Sequence, residues 1–184
     1  YPEKSSLESQ SSTYKLTTNG HRFHGKIGIC LECNLIFNDT TCTANQLLGM
    51  YSDVVDKDYY SYLLHAREKT YSYNLKKIKS YLPPSGKLLD IGAYCGVFMR
   101  AAKTKGYEVI GVEPSKWASN EARKNTGEEV ICGTLKDLRE DVNDFDIITM
   151  WDVLEHLSDP IGELKDIWLR LKPGGVLVLS TMNM

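Results

Sequence analysis

Residues 88–113 read LLDIGAYCGVFMRAAKTKGYEVIGVE, and this stretch decides the fold. The apolar run Lys87–Ile91 stops at a glycine and is too short for a helix, so it predicts a strand buried on both faces. Apolar residues then recur at helical spacing over Val97–Lys105, and a second strand is expected over Glu108–Val112. Two strands joined by a helix predict a parallel pair with a right-handed crossover. The stretch is therefore one βαβ unit of an α/β sheet.

Acidic and glycine residues lie where the two predicted strands end. Asp90 and Gly92 lie at the end of the first strand, and Glu113 lies at the tip of the second, 23 residues after Asp90. Ligands of parallel sheets bind beyond the carboxyl ends of the strands. Gly92 permits a sharp turn, and Gly96 permits the helix to start close to the strand and the ligand. Because the Glu113 carboxylate can accept hydrogen bonds from both hydroxyls of a ribose, the unit is expected to hold a nucleoside.

The spacing of the turn argues against a dinucleotide as the ligand. Dinucleotide sites carry G-x-G-x-x-G, whereas this chain has D-x-G-x-x-x-G with Tyr94 where a middle glycine would stand. A tyrosine at the approach point of a pyrophosphate disfavours NAD and FAD. The carboxylate of Asp90 just before the turn suits a ligand with a positive ammonium or sulfonium group.

This stretch and three later ones resemble the motifs of class I S-adenosylmethionine-dependent methyltransferases. LLDIGAYCG and VIGVEPS are similar to the first two motifs, FDIITMWDVLEHLSDP to the fourth-strand motif, and LRLKPGGVLVLSTMN to the turn into the fifth strand. Together they cover Gly86–Asn183, and the chain departs from the usual D-x-G-x-G-x-G at Tyr94. The resemblance implies a Rossmann-like, doubly wound parallel sheet and S-adenosylmethionine as the methyl donor.

The resemblance also implies roles for individual residues. By the family's pattern, Asp90 and Gly92 lie beside the methionine part of S-adenosylmethionine, and Glu113 binds the ribose hydroxyls. His156 is the candidate catalytic base, although the recurrence of its E-H pair in relatives with different acceptors favours a structural hydrogen-bonding role. The other residues expected around the cofactor are Ala93, Tyr94, Gly96, Pro114, Thr134, Leu135, Met150, Trp151 and Asp152.

Four of these residues have a purely structural alternative. Asp90 could cap the turn that follows it, and Trp151 could belong to the core, as most tryptophans do. Asp152 and Thr134 could each cap the short helical turn that follows them. The motif context favours a cofactor role for Glu113 and Gly92 above these alternatives.

A pair of cysteines lies before the βαβ unit. Cys30 and Cys33 have the C-x-x-C spacing that presents two thiolates to one tetrahedral zinc ion. The segments CLECNLIFND and YSDVVDKDYY resemble the N-terminal zinc-binding module of some sugar C-methyltransferases, which implies a structural zinc ion. Two free thiols in a hairpin are the alternative. The other two ligands are expected from a second pair upstream of Tyr1, or else from His21, His24 and Cys42.

Local patterns outside the nucleoside unit predict a hairpin and two further helices. Asn19-Gly20 is a hairpin signal. Apolar residues recur at helical spacing over Tyr60–Leu82, and two prolines then end this helix. A later helix ends at the P-G-G turn, and one apolar face of it is formed by Ile161, Leu164, Ile167, Trp168 and Leu171.

The length of 184 residues predicts one domain with an appendage, or two small domains. We divide the chain into residues 1–50, a hairpin segment with half a zinc site; 51–85, a linker and a helix covering the cofactor site; and 86–184, the cofactor-binding domain. The net charge of −2 argues against nucleic acid as a partner. No apolar run approaches the roughly 20 residues of a membrane span. Five cysteines, an odd number, favour a reducing cytoplasm over a secreted disulfide framework.

The predicted function is methyl transfer from S-adenosylmethionine to a small-molecule acceptor, with a nucleotide sugar as one candidate. The chain is expected to be cut before Tyr1 and after the fifth strand, so that it lacks the family's last antiparallel hairpin. A non-catalytic S-adenosylmethionine-binding domain of a larger protein is the alternative. An NAD-dependent oxidoreductase is disfavoured by Tyr94 and by the later motifs.

Overall fold

The computed structural model describes residues 26–32, 34, 36–39, 44–53 and 55–181. Among the described residues, three short 3₁₀ turns accompany the helices and strands, at Lys79–Tyr81, Leu135–Asp137 and Leu154–His156. In chain order these elements are β1 (Lys26–Ile29), β2 (Ile36–Asp39), α1 (Ala44–Ser52), α2 (Lys57–Ile78), β3 (Gly86–Ile91), α3 (Val97–Lys103), β4 (Tyr107–Glu113), α4 (Lys116–Thr126), β5 (Val130–Cys132), β6 (Phe145–Trp151), α5 (Pro160–Arg170) and β7 (Leu171–Ser180).

The five strands β3–β7 form one parallel sheet in the order β5-β4-β3-β6-β7. Asp90 on β3 is in register with Gly111 on β4 and Thr149 on β6. The chain leaves β3 towards one edge of the sheet and returns to build the other edge from β6. Open α/β sheets bind their ligands at such a switch point, beyond the carboxyl ends of the strands. The topology confirms the predicted Rossmann-like, doubly wound sheet.

Buried apolar side chains cover both faces of this sheet. On one face, Leu88 packs with Phe98 of α3 and Leu75 of α2. On the other face, Leu89 packs with Ile167 of α5. Consecutive residues of β3 therefore enter different cores, as the two-residue period of a strand requires.

Helices α4 and α5 begin at side-chain caps near the carboxyl edge of the sheet. The Ser115 hydroxyl accepts a hydrogen bond from the Ala118 amide at 3.1 Å, and the Asp159 carboxylate accepts one from the Gly162 amide at 2.9 Å. Such caps satisfy amides that the helix leaves without partners, and Pro160 suits the first helical position. These caps fix where the two helices start relative to the strand ends.

Helix α2 is the helix predicted over Tyr60–Leu82, and it packs along α3. Glu68 forms an ion pair with Arg100, and the Tyr71 ring contacts the Phe98 ring edge-on at 5.4 Å between centroids. These contacts hold α2 beside the carboxyl end of the sheet. Arg67 and Tyr71 of this helix line the cavity described below.

The apolar face predicted for α5 is only partly buried. Ile167 enters the core, whereas Ile161 and Trp168 are 62% and 73% exposed. The apolar face is therefore only partly covered by the core. The helix also ends earlier than predicted, at Arg170, so that Leu171 and the P-G-G segment belong to β7. No helix in the described part of the chain is both long and apolar enough to cross a bilayer.

The strands β1 and β2 form a separate antiparallel hairpin. Ile29 is in register with Ile36, and the Asn34 amide donates to the Cys30 carbonyl at 2.9 Å across the connecting turn. The hairpin predicted around Asn19-Gly20 lies outside the described residues. Within the described part, Lys26–Ile29 pairs with the strand that follows it.

Candidate active site

A cavity of about 560 Å³ opens at the carboxyl ends of β3, β4 and β6, with α2 along one side. Its volume lies in the range of small-molecule and cofactor sites. It contains most of the residues predicted from the sequence. Those that line it are Asp90, Gly92, Ala93, Tyr94, Glu113, Pro114, Thr134, Leu135, Trp151, Asp152 and His156.

The turn after β3 is tight and needs a glycine at its start. Gly92 has a φ of +74°, and a Cβ there would lie 2.4 Å from Cγ2 of Val153. The amides of Gly92 and Ala93 both donate to the Val112 carbonyl, at 2.8 and 3.1 Å. The turn is thus tied back onto β4, and the absence of a side chain at Gly92 leaves room for the Val153 side chain.

Glu113 is held rigidly at the end of β4. Its two carboxylate oxygens accept hydrogen bonds from the amides of Tyr94 and Ser115, each at 2.8 Å. Burial raises the pKa of Glu113, and these two donors act against that rise. Each oxygen keeps a further lone pair. The geometry therefore fits a carboxylate that accepts the two hydroxyls of a ribose.

Asp90 is almost fully buried and lies beside the same turn. The Thr149 hydroxyl donates to its Oδ1 at 2.7 Å. Because the turn amides donate elsewhere, Asp90 does not cap the turn as the structural alternative supposed. Burial raises its pKa to about 7, the Thr149 hydrogen bond opposes the rise and the negative charge of Glu113 adds to it. A buried carboxyl with a raised pKa at a cavity marks a place where a positive ligand is favoured.

Tyr94 adopts a backbone conformation that is unusual for a tyrosine. Its φ is +48°, which costs a residue with a side chain about 1–3 kcal/mol. The ring meets Tyr60 of α2 and Trp117 of α4, at centroid distances of 6.2 and 6.0 Å. The bulky residue at the family's glycine position therefore contacts the helices around the turn.

Helix α2 supplies two lining residues that the sequence did not indicate, Arg67 and Tyr71. The Arg67 guanidinium lies 5.3 Å from the centroid of the Tyr94 ring. Tyr71 packs against Trp151 at 5.6 Å. The helical period of this segment was visible in the sequence, but it did not show which face meets the cavity.

The end of β6 forms an aromatic wall. Trp151 packs against Phe98 at 5.0 Å, and its Nε1 is buried without a hydrogen-bond partner among the described residues. Such a donor costs about 1–3 kcal/mol unless a ligand or water accepts from it. Asp152 accepts a hydrogen bond from the Ser180 hydroxyl at 2.7 Å, and the following 3₁₀ turn begins after Val153. Asp152 therefore fastens β6 to β7 and does not cap that turn.

The remaining predicted residues lie around the rim. The Asp137 carboxylate accepts hydrogen bonds from the Thr134 hydroxyl at 2.9 Å and from its amide at 2.7 Å, so Thr134 begins a short turn and also lines the cavity. His156 is exposed, and its ring lies 5.6 Å from that of Tyr51 on α1. Its imidazole thus lines the cavity and is accessible to solvent.

Two predicted cofactor residues lie behind the wall of the cavity. Met150 is fully buried in the core of the sheet. Gly96 is buried against α4, where a Cβ would lie 2.8 Å from Cγ2 of Thr126 and 3.1 Å from Cα of Ala122. The glycine at position 96 therefore permits close packing of α3 on α4, and neither residue reaches the cavity surface.

The predicted zinc site falls largely outside the described residues, which exclude Cys33, Cys42, His21 and His24. Cys30 follows β1, and Asn34 in the same turn has a φ of +59°. In the part of the chain that is described, no group of three or more His, Cys, Asp or Glu side chains could hold a metal ion. Zinc binding stays a prediction.

Comparison with known proteins gives a consistent result. A family model for a methyltransferase domain matches residues 63–184. The ubiquinone biosynthesis O-methyltransferase of Coxiella burnetii is 33% identical over 115 residues, 59% of this chain and 49% of that protein. The chain thus spans about half the length of the curated relatives it matches.

Solved structures share the fold. A SAM-dependent methyltransferase from Thermotoga maritima is 30% identical, with a TM-score of 0.55 over 66% of this chain and 56% of that one. An S-adenosylmethionine-dependent methyltransferase from Mesorhizobium loti is 26% identical, with a TM-score of 0.51 over 58% and 52% of the two chains. The family match contains every described residue that lines the cavity except Leu48 and Tyr51.

Proposed function

The chain belongs to this methyltransferase domain family, and on that premise we propose that it transfers a methyl group from S-adenosylmethionine to a small-molecule acceptor. The match confirms the family predicted from the sequence motifs, whose cofactor is S-adenosylmethionine. The observation that carries the proposal is the meeting of Glu113 and Asp90 at one cavity, on either side of the Gly92 turn. One carboxylate is placed for a ribose and the other for a positive group.

The residues present fit an adenosyl ligand with a positively charged end. Glu113 would hold the ribose hydroxyls, while Thr134 and Leu135 border the space for the adenine. Asp90 and Gly92 would lie beside the aminoacyl part. The hydrogen-bond donor of Trp151, which is buried without a partner among the described residues, supports a ligand at this place.

The chemistry divides between the cofactor and the chain. S-adenosylmethionine, when bound, supplies a sulfonium methyl group that a nucleophile displaces in line. The aromatic wall of Phe98, Tyr71 and Trp151 excludes water from the cavity. We keep His156 as the candidate to take a proton from the acceptor, because its imidazole lies at the rim. Full turnover by His156→Ala would remove this role.

For the acceptor we propose a small molecule without a phosphate group, carrying a hydroxyl as its nucleophile. The relative from Coxiella burnetii is named for O-methylation. The described lining is net negative, which disfavours a diphosphate. Its acidic residues are Asp90, Glu113, Asp152, Asp159, Glu163 and Asp166, against the basic residues Arg67, Lys136 and Lys165.

A nucleotide sugar is the second candidate acceptor. It is favoured by the Cys30-x-x-Cys33 segment, which resembles the zinc module of sugar C-methyltransferases. The two acceptor classes differ in charge, so they are separable by competition with a simple nucleoside diphosphate. If the nucleoside diphosphate lowers the rate of methyl transfer, a nucleotide sugar is favoured as the acceptor.

Binding and turnover test the proposal in two steps. Calorimetry with S-adenosylmethionine, S-adenosylhomocysteine and NAD should show binding of the first two alone. S-adenosylmethionine with a labelled methyl group is then incubated with a simple phenol and with a nucleotide sugar, and transfer of the label to the acceptor is measured. Binding of NAD without S-adenosylmethionine would contradict the proposal. Cofactor binding without turnover on any acceptor would favour the non-catalytic alternative.

A further inference from the structure

The residue at position 94 has a conformation that suits the glycine of the family's usual pattern. Its φ of +48° lies in the left-handed region, which glycine adopts without a Cβ clash. A tyrosine stays in this region only where its surroundings hold it. The contacts of the Tyr94 ring therefore indicate what the side chain contributes.

The Tyr94 ring belongs to a group of three rings that joins the turn to two helices. Tyr60 of α2 and Trp117 of α4 each meet it edge-on, and they meet each other at 6.4 Å. The Asn125 side-chain amide donates to the Tyr60 hydroxyl at 2.8 Å and to the Cys95 carbonyl at 2.9 Å. The first turn of α2 is thereby fixed to the cofactor turn.

Arg67 lies two helical turns after Tyr60, with its guanidinium over the Tyr94 ring. The separation of 5.3 Å is that of a cation–π contact. Arg67 and Tyr94 both line the cavity, whereas Lys136 and Lys165 line it from the segment after β5 and from α5. The guanidinium is therefore the positive group held beside the turn.

We propose that Tyr94 is a positioning residue whose ring holds the Arg67 guanidinium against the carboxylate at the aminoacyl end of S-adenosylmethionine. This inference rests on the proposed function. A planar guanidinium binds a carboxylate through two parallel hydrogen bonds, so its orientation decides its affinity. A glycine at position 94 would remove the strain and also the surface on which Arg67 rests. In this chain, part of cofactor recognition thus passes from the turn to helix α2.

Calorimetry with three ligands isolates the carboxylate. S-adenosylmethionine and decarboxylated S-adenosylmethionine differ only in that group, and 5′-methylthioadenosine lacks the whole aminoacyl end. The wild-type chain should prefer S-adenosylmethionine to its decarboxylated form by about tenfold or more. Arg67→Gln and Tyr94→Gly should each bring this ratio close to one, while binding of 5′-methylthioadenosine stays unchanged.

Two control variants separate the ring from its hydroxyl and from backbone strain. Tyr94→Phe keeps the ring and should keep the wild-type ratio. Asp144→Gly relieves the same kind of positive φ, +58°, in an exposed residue that lies away from the cofactor cavity, and should also keep it. If Tyr94→Gly does not fold, Tyr94→Leu takes its place. This variant should also lose the preference for S-adenosylmethionine over its decarboxylated form.

The possible results have distinct meanings. A Tyr94→Gly or Tyr94→Leu variant with the wild-type ratio would overturn the inference. The inference would also be overturned if either variant bound all three ligands more weakly by the same factor, because that pattern indicates damage to the turn. The double variant with Arg67→Gln should lose no more of the ratio than Arg67→Gln alone. A wild-type chain that binds none of the ligands would overturn the proposed function itself.

Discussion

The two buried carboxylates at the strand ends differ in what donates to them. Glu113 accepts from two backbone amides, and Asp90 accepts from one hydroxyl. Two amide donors support the charged form of Glu113 against its burial, whereas the single neutral donor leaves the pKa of Asp90 near 7. Glu113 is therefore suited to be a fixed acceptor, and Asp90 to be a group whose charge responds to the ligand.

Glu113→Gln should weaken both the turn and cofactor binding. The amide nitrogen of glutamine would face a backbone N–H of Tyr94 or Ser115, so one of two buried hydrogen bonds is lost. We expect the free energy of unfolding to fall by about 1–3 kcal/mol and the affinity for S-adenosylmethionine to fall by about tenfold or more. Urea denaturation and calorimetry measure the two effects. Glu108→Gln, exposed on the same strand, is the matched control, and equal affinity in both variants would refute the ribose role.

Asp90 makes stability depend on pH with a definite sign. Below its ordinary pKa of 3.8 the carboxyl is protonated in the folded and the unfolded chain alike. Between that value and about 7, the folded chain keeps a proton that the unfolded chain has released. The contribution of Asp90 to stability is therefore full at low pH and is lost as the pH rises through about 7.

Cofactor affinity should change with pH in the opposite sense. A positive ligand favours the charged form of Asp90, so binding releases its proton, and affinity for S-adenosylmethionine should rise by about tenfold from pH 6 to pH 8. Calorimetry in buffers of different ionisation enthalpy measures affinity and proton release together. Asp90→Asn should remove the rise, and Thr149→Val, which deletes the hydroxyl donor, should move it to higher pH. An unchanged rise in Asp90→Asn would assign the effect to another group.

At the scale of elements, helix α2 both covers the cavity and depends on few buried contacts. Among its described side chains, Leu75 is the one that is fully enclosed, at 4% exposure. The other contacts are the ion pair between Glu68 and Arg100 and the aromatic contacts around Tyr71 and Tyr60. The position of the helix is thus fixed mainly by partly exposed side chains.

Leu75→Ala should therefore destabilise the chain strongly for a single helical residue. Removing a buried leucine leaves a cavity, and we expect the free energy of unfolding to fall by about 2–5 kcal/mol. Urea denaturation measures the change. Tyr73→Ala on the exposed side of the same helix is the control and should change stability by about 0.5 kcal/mol or less. Equal effects of the two substitutions would mean that α2 does not pack on the core through Leu75.

The hairpin of β1 and β2 gives the prediction about metal. If Cys30 and Cys33 bind zinc together with His21, His24 or Cys42, the purified chain should carry about one zinc ion. Cys30→Ser should lose it, and Cys132→Ser, which alters an exposed thiol in the cofactor domain, should keep it. Elemental analysis after dialysis measures the content. A wild-type chain without zinc would contradict a site completed by His21, His24 or Cys42. A site completed by a second cysteine pair upstream of Tyr1 is tested by the same measurement on a longer chain, where the absence of zinc would leave the two cysteines as free thiols.

For the whole molecule, the sheet was predictable because each strand contains a short apolar run, although β7 starts before its apolar run, at Leu171. Parallel strands bring their carboxyl ends to one edge, so the meeting of Asp90 and Glu113 followed from topology alone. Gly96 and Met150 were also predicted to contact the cofactor, but neither reaches the cavity surface. Their places in the motifs matched the family, but side chains at a strand end alternate between faces, and a glycine can serve packing as well as a ligand.

The parts that sequence reasoning did not reach depend on tertiary contacts. Arg67 and Tyr71 line the cavity because of how α2 packs on α3, and the helical period of the segment does not show this packing. Trp168 has the spacing of a core residue on α5, yet it is 73% exposed. Periodicity defines a face of a helix but not how wide a strip of that face its neighbours cover.

Residues from the ends of β3, β4 and β6 and from helices on both faces of the sheet line the cavity. Cofactor binding should therefore stabilise the whole folded chain. A ligand that binds only the folded state adds about 2.7 kcal/mol to the free energy of unfolding at 100 times its dissociation constant. Thermal unfolding with S-adenosylmethionine or S-adenosylhomocysteine should therefore show a higher midpoint, and NAD should not change it. Glu113→Gln should need a higher ligand concentration for the same rise. A rise that is equal in this variant and in wild type would place the ligand elsewhere than the cavity at the strand ends.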